Sequence, residues 1–562
     1  MVGAMDFKRI ISVILIAAVA LLSSCGGGDS TANDKTDLSD GVDDMFSDGD
    51  LEVGYDENES VRVFLSGNGA DSESDAVAVT DGRVTLLAEA TYIISGELSG
   101  TLLVDAPKDA KPRIVFDGVS IRSEGACLLV LSADKVFVTL ADGSENSLDG
   151  GVSYSLEDGT SVDGAIFSKA DISLNGGGSL TVTASEHGLV AKDDLTVTGG
   201  TYEITAASDG IDANDSIRIQ EASFKITSGK DGLHAENSDG SELGFIYISS
   251  GSFDINAGGD GLDAGAYLQI EDGSFSVKTE AASSDSSAKG LKATGELLIN
   301  GGIFTLDTAD DAVHSNSSAY INGGKFRIAT GDDGFHADDT LSVTGGDIII
   351  SESYEGLEGL HVKVSGGDIR LTASDDGINA AGGTDSSGFG GGFGGDQFRP
   401  GGPGGGMRPG GKAVGGSSAE SGSIVISGGT LYIVAYGDGL DANGTLEISG
   451  GHTTVTGPTT GDTATLDFDA TGIITGGTFI GTGASSGMAQ TFSDSEQGVF
   501  AVSAGRISGG TEVTLTSSDG SVVLKFTPEL DFSVIILSSP EIKKGECYTV
   551  TVGELSGEFE AD

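Results

Sequence analysis

An Asp-Gly-(Ile/Leu/Phe) step, sometimes varied by one residue, returns along the middle of this chain at near-constant intervals. It puts Gly210, Gly232, Gly261, Gly290, Ala312, Gly334, Gly356, Gly377 and Gly439 at equivalent points, spaced by 22, 29, 29, 22, 22, 22, 21 and 62 residues. One hydrophobic core stops growing near ~250–300 residues, so a chain of 562 must divide or extend along an axis. A fixed period of this size selects the axis. Each unit alternates apolar and polar residues between glycine turns, as in Leu341-Ser342-Val343-Thr344-Gly345-Gly346-Asp347-Ile348-Ile349-Ile350, and no helical period appears.

Short strands and glycine turns in coils of ~22 residues predict an all-β fold, a right-handed parallel β-helix with stacked coils ~4.8 Å apart. Equal positions then form columns. Tyr202, Phe224, Phe253, Phe275, Phe304 and Phe326 make one, spaced by 22, 29, 22, 29 and 22 residues, so longer turns absorb the extra residues. These rings are expected to stack inside, flanked by β-branched residues. A leucine-rich repeat would need a leucine and asparagine template that is missing, and a β-propeller needs repeats of ~40–50 residues.

The flanks divide by composition. Residues 51–162 keep the strand character with less regular spacing and read as N-terminal coils or a cap, ahead of regular coils over 163–490. A Gly-rich insertion at 382–422 has no means of building a core; it reads as a loop or a flap over a binding face. The repeat fails beyond Thr491, where residues 491–562 predict a small C-terminal β module that seals the end. At the other end, Lys8 and Arg9 precede an apolar run from Ile10 to Leu22 that suits a signal peptide over 1–24. Leu22-Ser23-Ser24-Cys25 resembles a bacterial lipobox, which makes Cys25 the expected lipidation site and residues 25–50 a flexible tether. Gly26 rather than Asp follows the cysteine, so the expectation is an exported protein, lipid-anchored on the outer membrane or cell surface. Cys127 and Cys547 are too few for a disulfide framework and are expected to be buried thiols.

Charge narrows the function. Against 29 basic residues stand 86 acidic ones, a net −57 that excludes nucleic-acid backbone binding as the main activity and favours hard cations. The acidic residues fall into files. Asp209, Asp231, Asp260, Lys289, Asp311, Asp333, Glu355, Asp376 and Asp438 precede the repeat starts, and Asp310, Asp332 and Asp375 stand one residue earlier. Asp212, His234, Asp263, Lys292, His314, His336, Glu358, Asn379 and Asp441 follow two residues after the starts. Bare carboxylates ~4.8 Å apart repel by ~3.5 kcal/mol at an effective dielectric of ~20. Bound Ca²⁺ relieves this, and the expected clusters are Asp209/Asp212/Asp231, Asp260/Asp263, Asp310/Asp311/Asp332/Asp333 and Asp438/Asp441. Glycine in the Asp-Gly-(Ile/Leu)-Asp step is expected to let the backbone turn so that both carboxylates address one ion. Solvated turn carboxylates are the alternative. His314 and His336 fall on neighbouring coils of one file, but no thiolate or third histidine stands nearby in register to complete a transition-metal site.

Asp209-Gly210-Ile211-Asp212-Ala213, the Gly-Gly strand units, Ala165-Ile166-Phe167-Ser168-Lys169-Ala170-Asp171-Ile172 and the Gly-rich interruption together resemble a known family over roughly residues 55–555. It is the family of bacterial surface carbohydrate-binding β-helix proteins first recognised in cellulose-degrading clostridia. The resemblance implies a fold similar to polysaccharide lyases, bound calcium, and binding of an acidic plant polysaccharide such as polygalacturonate, or of cellulose. Lys289, Lys292 and Ala312 depart from the pattern. The resulting expectation is a calcium-binding, non-catalytic carbohydrate-binding surface lipoprotein with no catalytic residues, touching the membrane through its N-terminal lipid only. A calcium-dependent lyase, with Lys289 or Lys292 as its base, and an adhesion or scaffold protein are the alternatives.

Overall fold

The computed structural model describes residues 45–151, 155–157, 160–238, 240, 242–280, 287–380, 421–460, 463–485 and 488–562. The signal sequence, Cys25, most of the tether and nearly all of the 382–422 insertion lie outside the described residues. The fold is all-β, and among the described residues one long, mostly parallel sheet holds 47 strands.

Three strands make one sequence repeat. The first kind runs Thr201–Ala206, Ala222–Ser228, Gly251–Ala257, Ser274–Thr279, Ile303–Thr308 and Lys325–Thr330, each parallel to the next and in register. The second runs Ile211–Ala213, Leu233–Ala235, Leu262–Ala264, Leu291–Ala293 and Val313–Ser315. The third runs Ser216–Ile219, Phe245–Ile248, Leu268–Ile270, Leu297–Ile299 and Ala319–Ile321. Each strand therefore pairs with the third one along, and the chain climbs one rung per repeat. Alternation sends every second side chain of the first kind inward, where apolar burial supplies the main favourable term.

The aromatic column lies inside, as its spacing predicts. Neighbouring rings from Tyr202 to Phe326 stack with centroids 4.5–5.5 Å apart and planes within 19°. The Gly-Gly pairs serve this stack. Gly324 sits at φ +101°, where side chains are strained, and a Cβ there would lie 3.0 Å from the Phe326 ring. The glycine of the Asp-Gly step has a different reason from the one expected. Gly210 is not in the left-handed region; a Cβ on it would strike the Gly232 carbonyl oxygen at 2.7 Å and Ile226 at 2.5 Å. Close approach of successive rungs, not a turn, excludes a side chain.

The ends differ from the middle. Residues 45–50, expected within the tether, instead pack against the sheet: Ser47 caps the short helix Asp48–Leu51, buried Asp50 meets Lys135 at 2.8 Å, and Met45 packs on Phe245. At the far end Phe532–Ser538 runs antiparallel to Thr478–Gly483, the last strand of the first kind. A four-stranded antiparallel sheet, Val513–Ser517, Val522–Phe526, Cys547–Val552 and Leu555–Glu560, follows, and its apolar side chains share one cluster with Ile480, Phe500, Phe532 and Leu537 of the long sheet. Both cysteines are free, but only Cys127 is buried, which pushes its thiol up to about 12. Cys547 is exposed at the first position of its strand, against the expectation of two buried thiols.

Candidate metal centre

Strand pairing fixes the second acidic file. Asp212, His234, Asp263, Lys292, His314, His336, Glu358, Asn379 and Asp441 are partners in unbroken succession, and Asp467 extends the series. The first file is held by a device that spacing alone does not reveal. Each aspartate of the file accepts a backbone N–H from one rung on: Asp209 from Asp231 at 2.9 Å, Asp231 from Asp260 at 2.7 Å, and Asp260 from Lys289 at 2.7 Å. The ladder resumes with Asp311 accepting from Asp333 at 2.9 Å and Asp333 from Glu355 at 3.0 Å, then Asp376 from Asp438 and Asp438 from Ala464. These bonds use Oδ1 and leave Oδ2 for a second partner.

What that second partner is divides the files into three stretches. In the middle, the protein supplies its own cations. Lys289, with no exposed surface, donates to Asp310 at 2.9 Å and to Asp311 at 2.7 Å. Lys292 donates to Asp260 at 2.9 Å and Asp263 at 3.0 Å. His314 Nδ1 lies 2.8 Å from Asp311, and its ring stacks on His336 at 4.7 Å. His336 in turn contacts Glu358 through Nδ1 and Asp338 through Nε2 at 3.1 Å. Burial alone would raise Asp311, yet Lys289 and His314 hold it well below the usual carboxylate range. The calcium clusters expected at Asp260/Asp263 and at Asp310/Asp311 thus carry ammonium groups already. Asp332, adjoining Asp310 and Asp311, stays half-buried, and Asp333 is drawn to His336 at 3.4 Å.

At the N-terminal stretch compensation is partial. Asp209 meets His187 at 3.0 Å, while Asp212 meets His234 at 3.0 Å and Lys192 at 3.6 Å. Asp231, half-buried and facing Asp260, Asp263 and Asp209, is pushed up to about 7.

The C-terminal stretch is where carboxylates stand against one another. Burial and Asp438 push Asp376 up to about 8; burial, Asp438 and Asp467 push Asp441 up to about 7; burial and Asp467 hold Asp438 at about 6. Burial and the Glu358 charge raise Glu355 to about 9. Two buried oxygens here have no hydrogen-bond partner, Glu355 Oε2 and Asn379 Oδ1. Asn379 is 7% exposed, and its Nδ2 is already given to Glu355 Oε1 at 2.8 Å. Carboxylate and amide oxygens left without donors are the atom types that a hard cation takes as ligands. Sequence reasoning named Asp438 and Asp441 here but passed over Glu355, Asp376 and Asn379 as ligands, although all three stand in the files.

The lysines bear on catalysis. A general base must be free to take a proton. Burial would favour neutral Lys292, but Asp263 and Asp260 hold its ammonium above the ordinary value. Lys289 is closed to any substrate.

Residues 80–334 match the model of a family described as carbohydrate-binding domain-containing protein, and over that stretch the family resemblance read from the repeats holds. A relative of that same description from Acetivibrio thermocellus is 30% identical over 200 residues, covering 35% of this chain and 64% of the relative's length. A solved structure of the polysaccharide lyase-like protein from C. thermocellum, a gadolinium derivative, is 27% identical and covers 43% of this chain and 92% of its own, with a TM-score of 0.36.

Proposed function

We propose that this protein is a calcium-binding, non-catalytic carbohydrate-binding lipoprotein of the cell surface that holds acidic polysaccharide of the polygalacturonate type. The observation that carries the reading is the C-terminal stretch Glu355, Asp376, Asn379, Asp438 and Asp441, with mutually repelling carboxylates and two donorless buried oxygens. Similarity to carbohydrate-binding domain-containing proteins supports the ligand class. In this reading the parallel sheet closes into a right-handed β-helix, and the C-terminal strands form a module that covers its last rung.

Calcium, when bound, supplies open coordination positions that a uronate carboxylate can enter. The chain's own part is to hold its carboxylates in register. Oδ1 of Asp376 and of Asp438 is fixed by an amide of the next rung, which orients the other oxygen. A lyase would need a base, and the protonated state of Lys292 and burial of Lys289 speak against both candidates. Export and anchoring through Cys25 complete the proposal; Cys25→Ala should move the protein from membranes to the soluble exported fraction.

Retention of the full chain on immobilised polygalacturonate, in Ca²⁺ and in chelator at matched ionic strength, tests the function. Binding in calcium, loss in chelator and no unsaturated product are expected. Calcium-independent retention, or steady release of unsaturated oligouronides, would overturn it.

A further inference from the structure

The column just outside the first file reads Asp310, Asp332, Tyr354, Asp375, Gly437. Its later members are joined rung by rung: Tyr354 N–H donates to the Asp332 carbonyl at 2.8 Å, Asp375 N–H to Tyr354 at 2.9 Å, and Gly437 N–H to Asp375 at 2.8 Å. An aromatic ring therefore stands where neighbouring rungs carry carboxylates. Tyr436, immediately before Gly437, stands in the adjoining column two rungs away, about 10 Å along the sheet, and is likewise exposed. Tyr354 is 43% exposed and Tyr436 51%, whereas the Tyr202–Phe326 column is wholly inside.

Three features tie these rings to the donorless oxygens behind them. The Asp375 carboxylate faces the Tyr354 hydroxyl and raises its pKa above the ordinary value. Gly437 has no room for a Cβ because the carboxylates of Asp375 and Asp376 crowd its Cα, so both acids lie against the turn that carries Tyr436. Glu355, next to Tyr354, bonds Asn379, whose Oδ1 is buried and unpaired.

We infer that Tyr354 and Tyr436 form a stacking platform for an oligouronate lying along the sheet edge, with its carboxylates directed to the Glu355/Asp376/Asn379/Asp441 oxygens through a shared divalent cation. The inference rests on the function proposed above and gives it a location, outside the 80–334 stretch that matches the family. Two rungs correspond to the length of a disaccharide unit, so alternate sugars meet successive rings. Apolar sugar faces suit an aromatic ring. A neutral glycan would also stack, but it would leave the facing carboxylates uncompensated.

The test uses the full chain with Tyr354→Ala, Tyr436→Ala, the double variant and Tyr436→Phe. Calorimetry follows oligogalacturonate binding in Ca²⁺, and thermal melting follows the response to Ca²⁺ alone. Each alanine variant is expected to bind about three- to tenfold more weakly, the double variant weaker still, and Tyr436→Phe close to the parent. Calcium-dependent melting should match the parent in all four, which separates platform from metal ligands and from misfolding. Parental binding in the double variant would overturn the platform and leave the function standing. No oligouronate binding by the parent chain would overturn the function and the platform with it. Loss of cellulose binding with uronate binding intact would overturn the uronate assignment.

Discussion

Lys289 is a long cation with no exposed surface, and its place depends on two partners. Asp310 and Asp311 are buried and take their charge compensation from its ammonium. Removing one side of a buried pair costs about 3–5 kcal/mol, because the remaining charge has neither water nor partner. Lys289→Met should lower unfolding stability by that amount in chemical denaturation, and an unchanged midpoint would show that the ammonium is dispensable. Asp376 illustrates the opposite case. Its pKa is raised from 3.8 in the unfolded chain to about 8, so the native state binds the proton more tightly. The stability tied to that proton is complete below the unfolded value and is lost as pH rises through about 8. In chelator, Asp376→Asn should thus match the parent near pH 4 and exceed it by a growing margin toward pH 9. The amide keeps the acceptor that Asp438 N–H needs. If the parent is the more stable at pH 9 without calcium, the repulsion is compensated by another group.

Among elements, the first-kind strands carry the most tightly ordered part of the interior. Phe275 stacks between Phe253 at 4.7 Å and Phe304 at 4.8 Å, with planes within 7° on both sides. Phe275→Ala should cost about 3–5 kcal/mol, whereas Phe275→Leu, which nearly preserves volume, should cost under about 1.5 kcal/mol; equal losses would mean that the column tolerates a void. This column was legible in the sequence because insertions enter at turns and leave strand-to-strand register intact. The files were legible for the same reason. Their chemistry was less so. Spacing gives a position but not the direction a long side chain takes, so Lys289 reaching forward to Asp310 and Asp311, and Lys292 reaching back to Asp260 and Asp263, could not be read from it. Backbone acceptance by the first-file carboxylates was hidden too, since Asp at a turn and Asp in a ladder look alike as letters. Tyr354 interrupts an acidic column and was visible as such only once the column had been fixed by hydrogen bonds.

Among the described residues the strands of the long sheet pair mainly with those one repeat away, so distant stretches are expected to behave as separate sites. The middle, from Lys289 to His336, where lysines and histidines partner the carboxylates, lies between two acidic stretches that differ in what they lack. On the N-terminal side His187, His234 and Lys192 already satisfy part of the charge. Toward the C-terminal end no Lys, Arg or His is paired with Asp376, Asp438 or Asp441 among the ion pairs of the described residues. The built-in cations therefore act as an insulator, dividing one geometric file into two electrical circuits. A calcium titration should accordingly run in two steps, the tighter one perturbed by Asp441→Asn and the weaker one by Asp231→Asn. A titration with one step, abolished by either substitution, would mean that charge is conducted straight through the middle.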